Sequence, residues 1–235
     1  DALGLLTSKN IALSIDPILG ICVGSTATLH ANSPSTLYNS VWSNGTVGVN
    51  MTTAIVGSYY VKGLDSAGCY TRSNPIALGT LALPFVDAGA SYSTCPGEEI
   101  SLLGTGTAVT YQWDNGVLNN ESFVPLSSGV YYVTGTGSNG CQNMDSISVN
   151  LFDVDPVSYN ETTTTVMEGS GPFNVAPGSP SGGVYSGPGI IGTSFHPTLT
   201  GPGSFYVSYS YTDGNGCTTS DSSLIEVVDL NSIAM

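Results

Sequence analysis

Carboxylates, cysteines and two histidines are the side chains here that could do chemistry, and their spacing decides which kind. Acid–base catalysis needs carboxylates enclosed by apolar surface that sets their pKa values apart. Glu98 and Glu99 are neighbours at a strand start and point to opposite faces, while Asp153 and Asp155 fall in a linker. His30 and His196 are the only bases of the usual kind for activating a thiol, and neither has a recognisable context. No enzymatic activity is expected. Asp213, Asn215 and Asp221 place hard oxygens around the turn Asp213-Gly214-Asn215-Gly216, and a net charge of −14 suits a divalent cation. The spacing is not that of an EF-hand loop, and a glycine-rich hairpin accounts for the same residues. Calcium there is the one cofactor left open; otherwise none is expected.

The elements that position these residues come in repeats. Cys22-Val23-Gly24-Ser25, Cys95-Pro96-Gly97-Glu98 and Met167-Glu168-Gly169-Ser170 open three matching stretches, with Met167 in the place of cysteine. Trp42-Ser43-Asn44-Gly45 matches Trp113-Asp114-Asn115-Gly116. Then come Gly57-Ser58-Tyr59-Tyr60-Val61, Gly129-Val130-Tyr131-Tyr132-Val133 and Gly203-Ser204-Phe205-Tyr206-Val207, leading to Gly68-Cys69, Gly140-Cys141 and Gly216-Cys217. Short β-branched and aromatic segments separated by Gly/Asn/Asp/Ser turns predict an all-β fold of three tandem immunoglobulin-like β-sandwiches in an elongated array. The domains are expected at 16–83, 84–153 and 154–235. Residues 1–15 resemble the last strand of a preceding repeat, left by truncation, or a strand donated to a neighbouring subunit.

Equal spacing in two repeats predicts the disulfides Cys22–Cys69 and Cys95–Cys141, each closing one small domain and contributing roughly 4 kcal/mol. Cys217 is then left unpaired, as a buried inert thiol or as one half of an intermolecular bridge. Residues two apart in a strand share a face, so Tyr59, Tyr131 and Phe205 are expected in the cores. Trp42 and Trp113 recur at one position, which favours a core role over stacking on sugars.

Composition closes other routes. Three Lys+Arg against 17 Asp+Glu exclude nucleic acid as a partner and docking on an anionic membrane. No apolar run reaches the roughly 20 residues that span a bilayer, so no direct membrane insertion is expected. A chain that is 40% hydrophobic can offset the entropy of ordering, so it folds. Its start at Asp1 suggests a processed product or an excerpt of something longer.

Together these motifs resemble the immunoglobulin-like and PKD-like repeats of large secreted surface proteins of Bacteroidota, including gliding adhesins. Pro180-Ser181-Gly182-Gly183-Val184-Tyr185 and Tyr209-Ser210-Tyr211-Thr212-Asp213-Gly214 place the third repeat in a sister subtype. The resemblance implies type IX export and a location outside the outer membrane. It implies an adhesin segment or fibre subunit whose partners are neighbouring copies, other domains of the array, or surface glycans. The other reading is a polysaccharide-binding or spacer region of a secreted enzyme. Asp65-Ser66-Ala67 and Asp145-Ser146-Ile147 are similar to the O-glycosylation signal of that phylum, which makes Ser66 and Ser146 candidate acceptors.

Overall fold

Alternation of buried and exposed residues organises every long strand. The computed structural model describes residues 14–15, 20–33, 38–64 and 70–229. Among them the regular elements are all β-strands except for one helical turn, Pro197–Thr200. No helix among the described residues is long and apolar enough to cross a membrane. The chain divides into two compact units. One comprises 1–89, 102–120 and 132–146; the other comprises 90–101, 121–131 and 147–235. The first repeat therefore falls whole in one unit and the third in the other, while residues of the second are divided between them.

In the first unit, Ala27–Asn32 pairs on one side with Asn50–Thr53 and on the other with Ser14–Ile15. The described part of the leading segment thus pairs with the first repeat's own strand, and Val86–Asp87 does the same in the second repeat by pairing with Thr105–Gly106. The rest of that segment lies outside the described residues. A second sheet joins Tyr38–Trp42, Val61–Leu64 and Tyr70–Arg72. Between these layers sit Leu29, Met51, Trp42, Tyr59 and Val61. Trp42 and Trp113 are 2% and 3% exposed. Each indole N–H has a partner, the Gly48 carbonyl at 2.9 Å and Asn119 Oδ1 at 3.0 Å. Buried and satisfied, neither ring is presented to a sugar. Tyr59 is buried with its hydroxyl on the Ile55 carbonyl.

In the second unit, the hairpin Gly203–Thr212 with Thr218–Val228 runs in unbroken register from Thr212↔Thr218 to Gly203↔Val227. Val184–Ser186 flanks one side, and Thr165–Met167 adds to the other in parallel. Val207, Tyr209, Ile225 and Val227 face a core that includes Tyr159, Val175 and Phe195, with Phe205 half-buried against it. Tyr131 is also half-buried, its ring 5.5 Å from Phe123.

The third repeat has no tryptophan, and a tyrosine cluster fills the space. The rings of Tyr185 and Tyr209 lie 4.8 Å apart, and Tyr159 meets Tyr185 edge-on at 5.7 Å. Each hydroxyl is tied. Tyr185 donates to the Ala176 carbonyl, Tyr209 donates to the Pro180 carbonyl, and Tyr159 donates to the buried Glu161 carboxylate. Glu161 also accepts the N–H groups of Thr163 and Ala176, so its burial leaves it well supplied with donors. Burial, then the Glu161 charge and hydrogen bond, then Tyr185, push the Tyr159 hydroxyl above the usual tyrosine range.

Candidate functional site

The cysteines do not pair as their spacing predicts. The bridges are Cys22–Cys141 and Cys95–Cys217, with sequence separations of 119 and 122. Each joins the opening cysteine of one repeat to the hairpin cysteine of the next. Cys217, expected to be unpaired, is bridged; Cys69 lies outside the described residues. The physical reason is strand length. In the third repeat, Met167 faces Val228 at the far end of the eleven-residue strand Thr218–Val228, while Cys217 precedes its first residue. At about 3.3 Å per residue these positions are more than 30 Å apart, beyond any disulfide. The second repeat has the same arrangement along Gln142–Leu151, where Thr94, next to Cys95, faces Leu151. Equal spacing within repeats described two ends of a sandwich, and both bridges instead cross a junction.

At the first junction, Ile21–Cys22 runs parallel to Thr80–Leu81, which places the chain leaving the repeat beside Cys22. The hairpin turn of the second repeat meets that exit. Gly140 takes φ 79°, a left-handed conformation that glycine enters without strain, and its N–H bonds the Gly137 carbonyl. Asn139 Oδ1 accepts the Cys141 N–H at 3.0 Å while its amide donates to the Ala82 carbonyl at 2.9 Å. Two residues past the cysteine, Asn143 donates to the Pro84 carbonyl at 3.0 Å. Two further on, Asp145 Oδ2 accepts the Ala88 N–H at 2.8 Å. Alternate residues of a strand share a face, so Cys141, Asn143 and Asp145 form one row along the linker.

The second junction repeats the row. Cys217 bridges Cys95, Thr219 donates to the Asp155 carbonyl at 3.0 Å, and Asp221 Oδ2 accepts the Tyr159 N–H at 2.9 Å. Asp213 Oδ1 accepts the N–H groups of Asn215 and Cys217, a turn device equivalent to Asn139. The residues Asp213, Asn215 and Asp221 are therefore not brought together around a common point. Asp213 caps a turn, Asp221 holds a linker, and Asp221 pairs with Tyr209 three strand positions beyond Thr218. Among the described residues no group of three or more His, Cys, Asp or Glu could hold a metal ion.

The two linker-holding carboxylates are drawn below the usual aspartate range. Asp145 is lowered by the Ala88 N–H and then that of Ser146, and Asp221 by the Tyr159 N–H and then that of Ser222. A lowered folded-state pKa means that the unfolded chain binds more protons in acid. The stabilisation is therefore present above the ordinary aspartate pKa and is lost as pH falls through the folded value. Melting temperature measured from about pH 6 down to about pH 2 should fall most steeply below about pH 4. The double variant Asp145→Asn/Asp221→Asn should flatten that fall, and an unchanged pH profile would remove these bonds from the account.

Ser146 is exposed on its strand beside Asp145, and Ser66 lies outside the described residues. What sequence reading missed is the row itself. The pattern Cys141-x-Asn143-x-Asp145 and Cys217-x-Thr219-x-Asp221 was visible at fixed offsets. Asp145 and Asp221 also fit a glycosylation signal and a cation-binding turn, and those short patterns mask the row.

No protein-family model matches the chain, and no curated protein matches it. Solved structures do resemble it. Sidekick-1 immunoglobulin domains 1–4 are 16% identical, over 93% of this chain and 76% of that one, with a TM-score of 0.28. The insect immune protein hemolin is 12% identical over 93% and 76%, with a TM-score of 0.31. The fibronectin(III)-like modules of Clostridium thermocellum CbhA are 16% identical over 59% and 93%, again at 0.31. Likenesses this distant carry no argument about what the chain does.

Proposed function

We propose that this chain is an extracellular structural or adhesive module with no chemistry of its own, its repeats joined into one covalent piece. The observation that carries this reading is the pair of bridges across successive junctions. By loop-closure entropy a loop of this length stabilises by about 5 kcal/mol, and such bonds persist in oxidising surroundings outside the cytoplasm. Each compact unit holds both cysteines of one bridge, so each bridge ties a repeat to part of the next inside one unit. That suits a part that transmits force or holds a partner at a distance. The resemblance in sequence motifs supports a place in a surface adhesin or fibre of Bacteroidota exported by the type IX route.

The test uses the native material. Antibodies against this chain should label intact, unpermeabilised cells of its source. Protein extracted into an alkylating agent should yield the linked peptides Cys22–Cys141 and Cys95–Cys217. Labelling only after permeabilisation, with all the cysteines alkylated, would overturn the proposal.

A further inference from the structure

The outer face of the second repeat carries a grid of side chains that no junction or core uses. Three neighbouring strands each contribute two residues at spacing two: Gln112 and Asp114, Tyr132 and Thr134, Gln142 and Met144. With Trp113 they line a groove of about 470 Å³, within the size range of small-ligand sites. Gln112 and Thr134 are cross-strand partners. Tyr132 is 46% exposed and Met144 58%. Asp114 Oδ1 accepts the Tyr132 N–H and Gln142 Nε2 donates to Thr136 Oγ1, which leaves Asp114 Oδ2 and Gln142 Oε1 out of these two bonds. The side chains of Gln112 and Thr134 have no hydrogen-bond partner among the described residues.

We propose that this groove binds a neutral saccharide, with the Tyr132 ring as the stacking surface and the amides, Thr134 and Asp114 meeting sugar hydroxyls. This rests on the reading of an extracellular adhesive module and names what it would hold. Three features select the ligand. Amides, a hydroxyl and a carboxylate around one ring offer both donors and acceptors, as a polyhydroxylated chain requires. The grid has a carboxylate and no cation, so an anionic sugar or a phosphate would be repelled. Tyr132 and Met144 are the only large apolar side chains of the six, too small a patch for a protein partner's buried centre.

The other repeats show why the site is in the second. Tyrosine holds the same motif position in all three, as Tyr60, Tyr132 and Tyr206. In the first repeat the Arg72 guanidinium lies 3.7 Å over the Tyr60 ring, and Lys62 stands opposite Arg72 across the strands. These two cations occupy the positions of Met144 and Thr134. In the third, Tyr206 is 64% exposed and faces Leu224 across the hairpin.

Cellohexaose, maltohexaose, mannohexaose and chitohexaose, with hexagalacturonate as the anionic control, are titrated into the oxidised chain by calorimetry. At least one neutral hexamer should saturate, and Tyr132→Ala should weaken it by about tenfold or more. Tyr206→Ala should leave it unchanged. Gln112→Ala, at an exposed side chain with no internal bond, serves if Tyr132→Ala alters the melting curve, and it should weaken binding in the same direction. No saturation by any neutral hexamer at about 10 mM, binding that survives these variants, or binding of hexagalacturonate alone would each overturn the proposal. Failure here with intact-cell labelling retained would leave the adhesive module standing and remove only its saccharide.

Discussion

Pulled from its two ends with both bridges intact, the chain should stop lengthening between Cys22 and Cys217 at about 160 Å. The shortest covalent path between those residues crosses to Cys141, runs back through the second repeat to Cys95, and crosses again to Cys217. Only about 46 residues lie on that path, each spanning about 3.5 Å when fully extended. With reductant present the same stretch holds about 195 residues and should reach about 680 Å, a fourfold gain. Bridges within repeats, Cys22–Cys69 and Cys95–Cys141, would instead leave about 100 residues extensible and a ceiling near 350 Å. Single-molecule extension with handles ligated to the termini separates the three lengths. An oxidised ceiling near the middle value would refute the junction-crossing pairs.

The second large effect lies in the third repeat. A Cβ added at Gly178 would stand 2.3–2.5 Å from the ring of Tyr209. That ring cannot retreat, because it is buried and its hydroxyl donates to the Pro180 carbonyl and accepts the Gly183 N–H. Gly178→Ala should therefore destabilise by about 2–3 kcal/mol, the cost of overpacking a rigid site. In a unit of this size the melting temperature should fall by about 5–10 °C. If the clash is the cause, the same substitution made together with Tyr209→Ala should cost much less than it does alone. Additive losses would place the effect elsewhere.

Much of the fold was legible from residue types. Period-two alternation in Ala27–Asn32 and Gly203–Thr212, and the recurrence of Trp42 and Trp113, led to two-layered β structure with the indoles inside, where the structure places them. The disulfides were not legible from spacing, because spacing counts residues and a bridge depends on which end of a sandwich each residue occupies. That depends on the parallel pairing of Tyr92–Thr94 with Val149–Leu151, a contact between segments far apart in sequence. The groove was hidden for a related reason. Gln112, Tyr132 and Gln142 are unremarkable singly, and only the alignment of three strands puts them on one face.

The overlapping bridges also bear on how the chain withstands proteolysis. The loop closed by Cys22–Cys141 and that closed by Cys95–Cys217 share the stretch between Cys95 and Cys141. Any one peptide bond hydrolysed between Cys22 and Cys217 therefore lies inside at least one closed loop. A nicked molecule gains a water and two new chain ends, yet both pieces stay tethered through sulfur until a reductant or a second cut parts them.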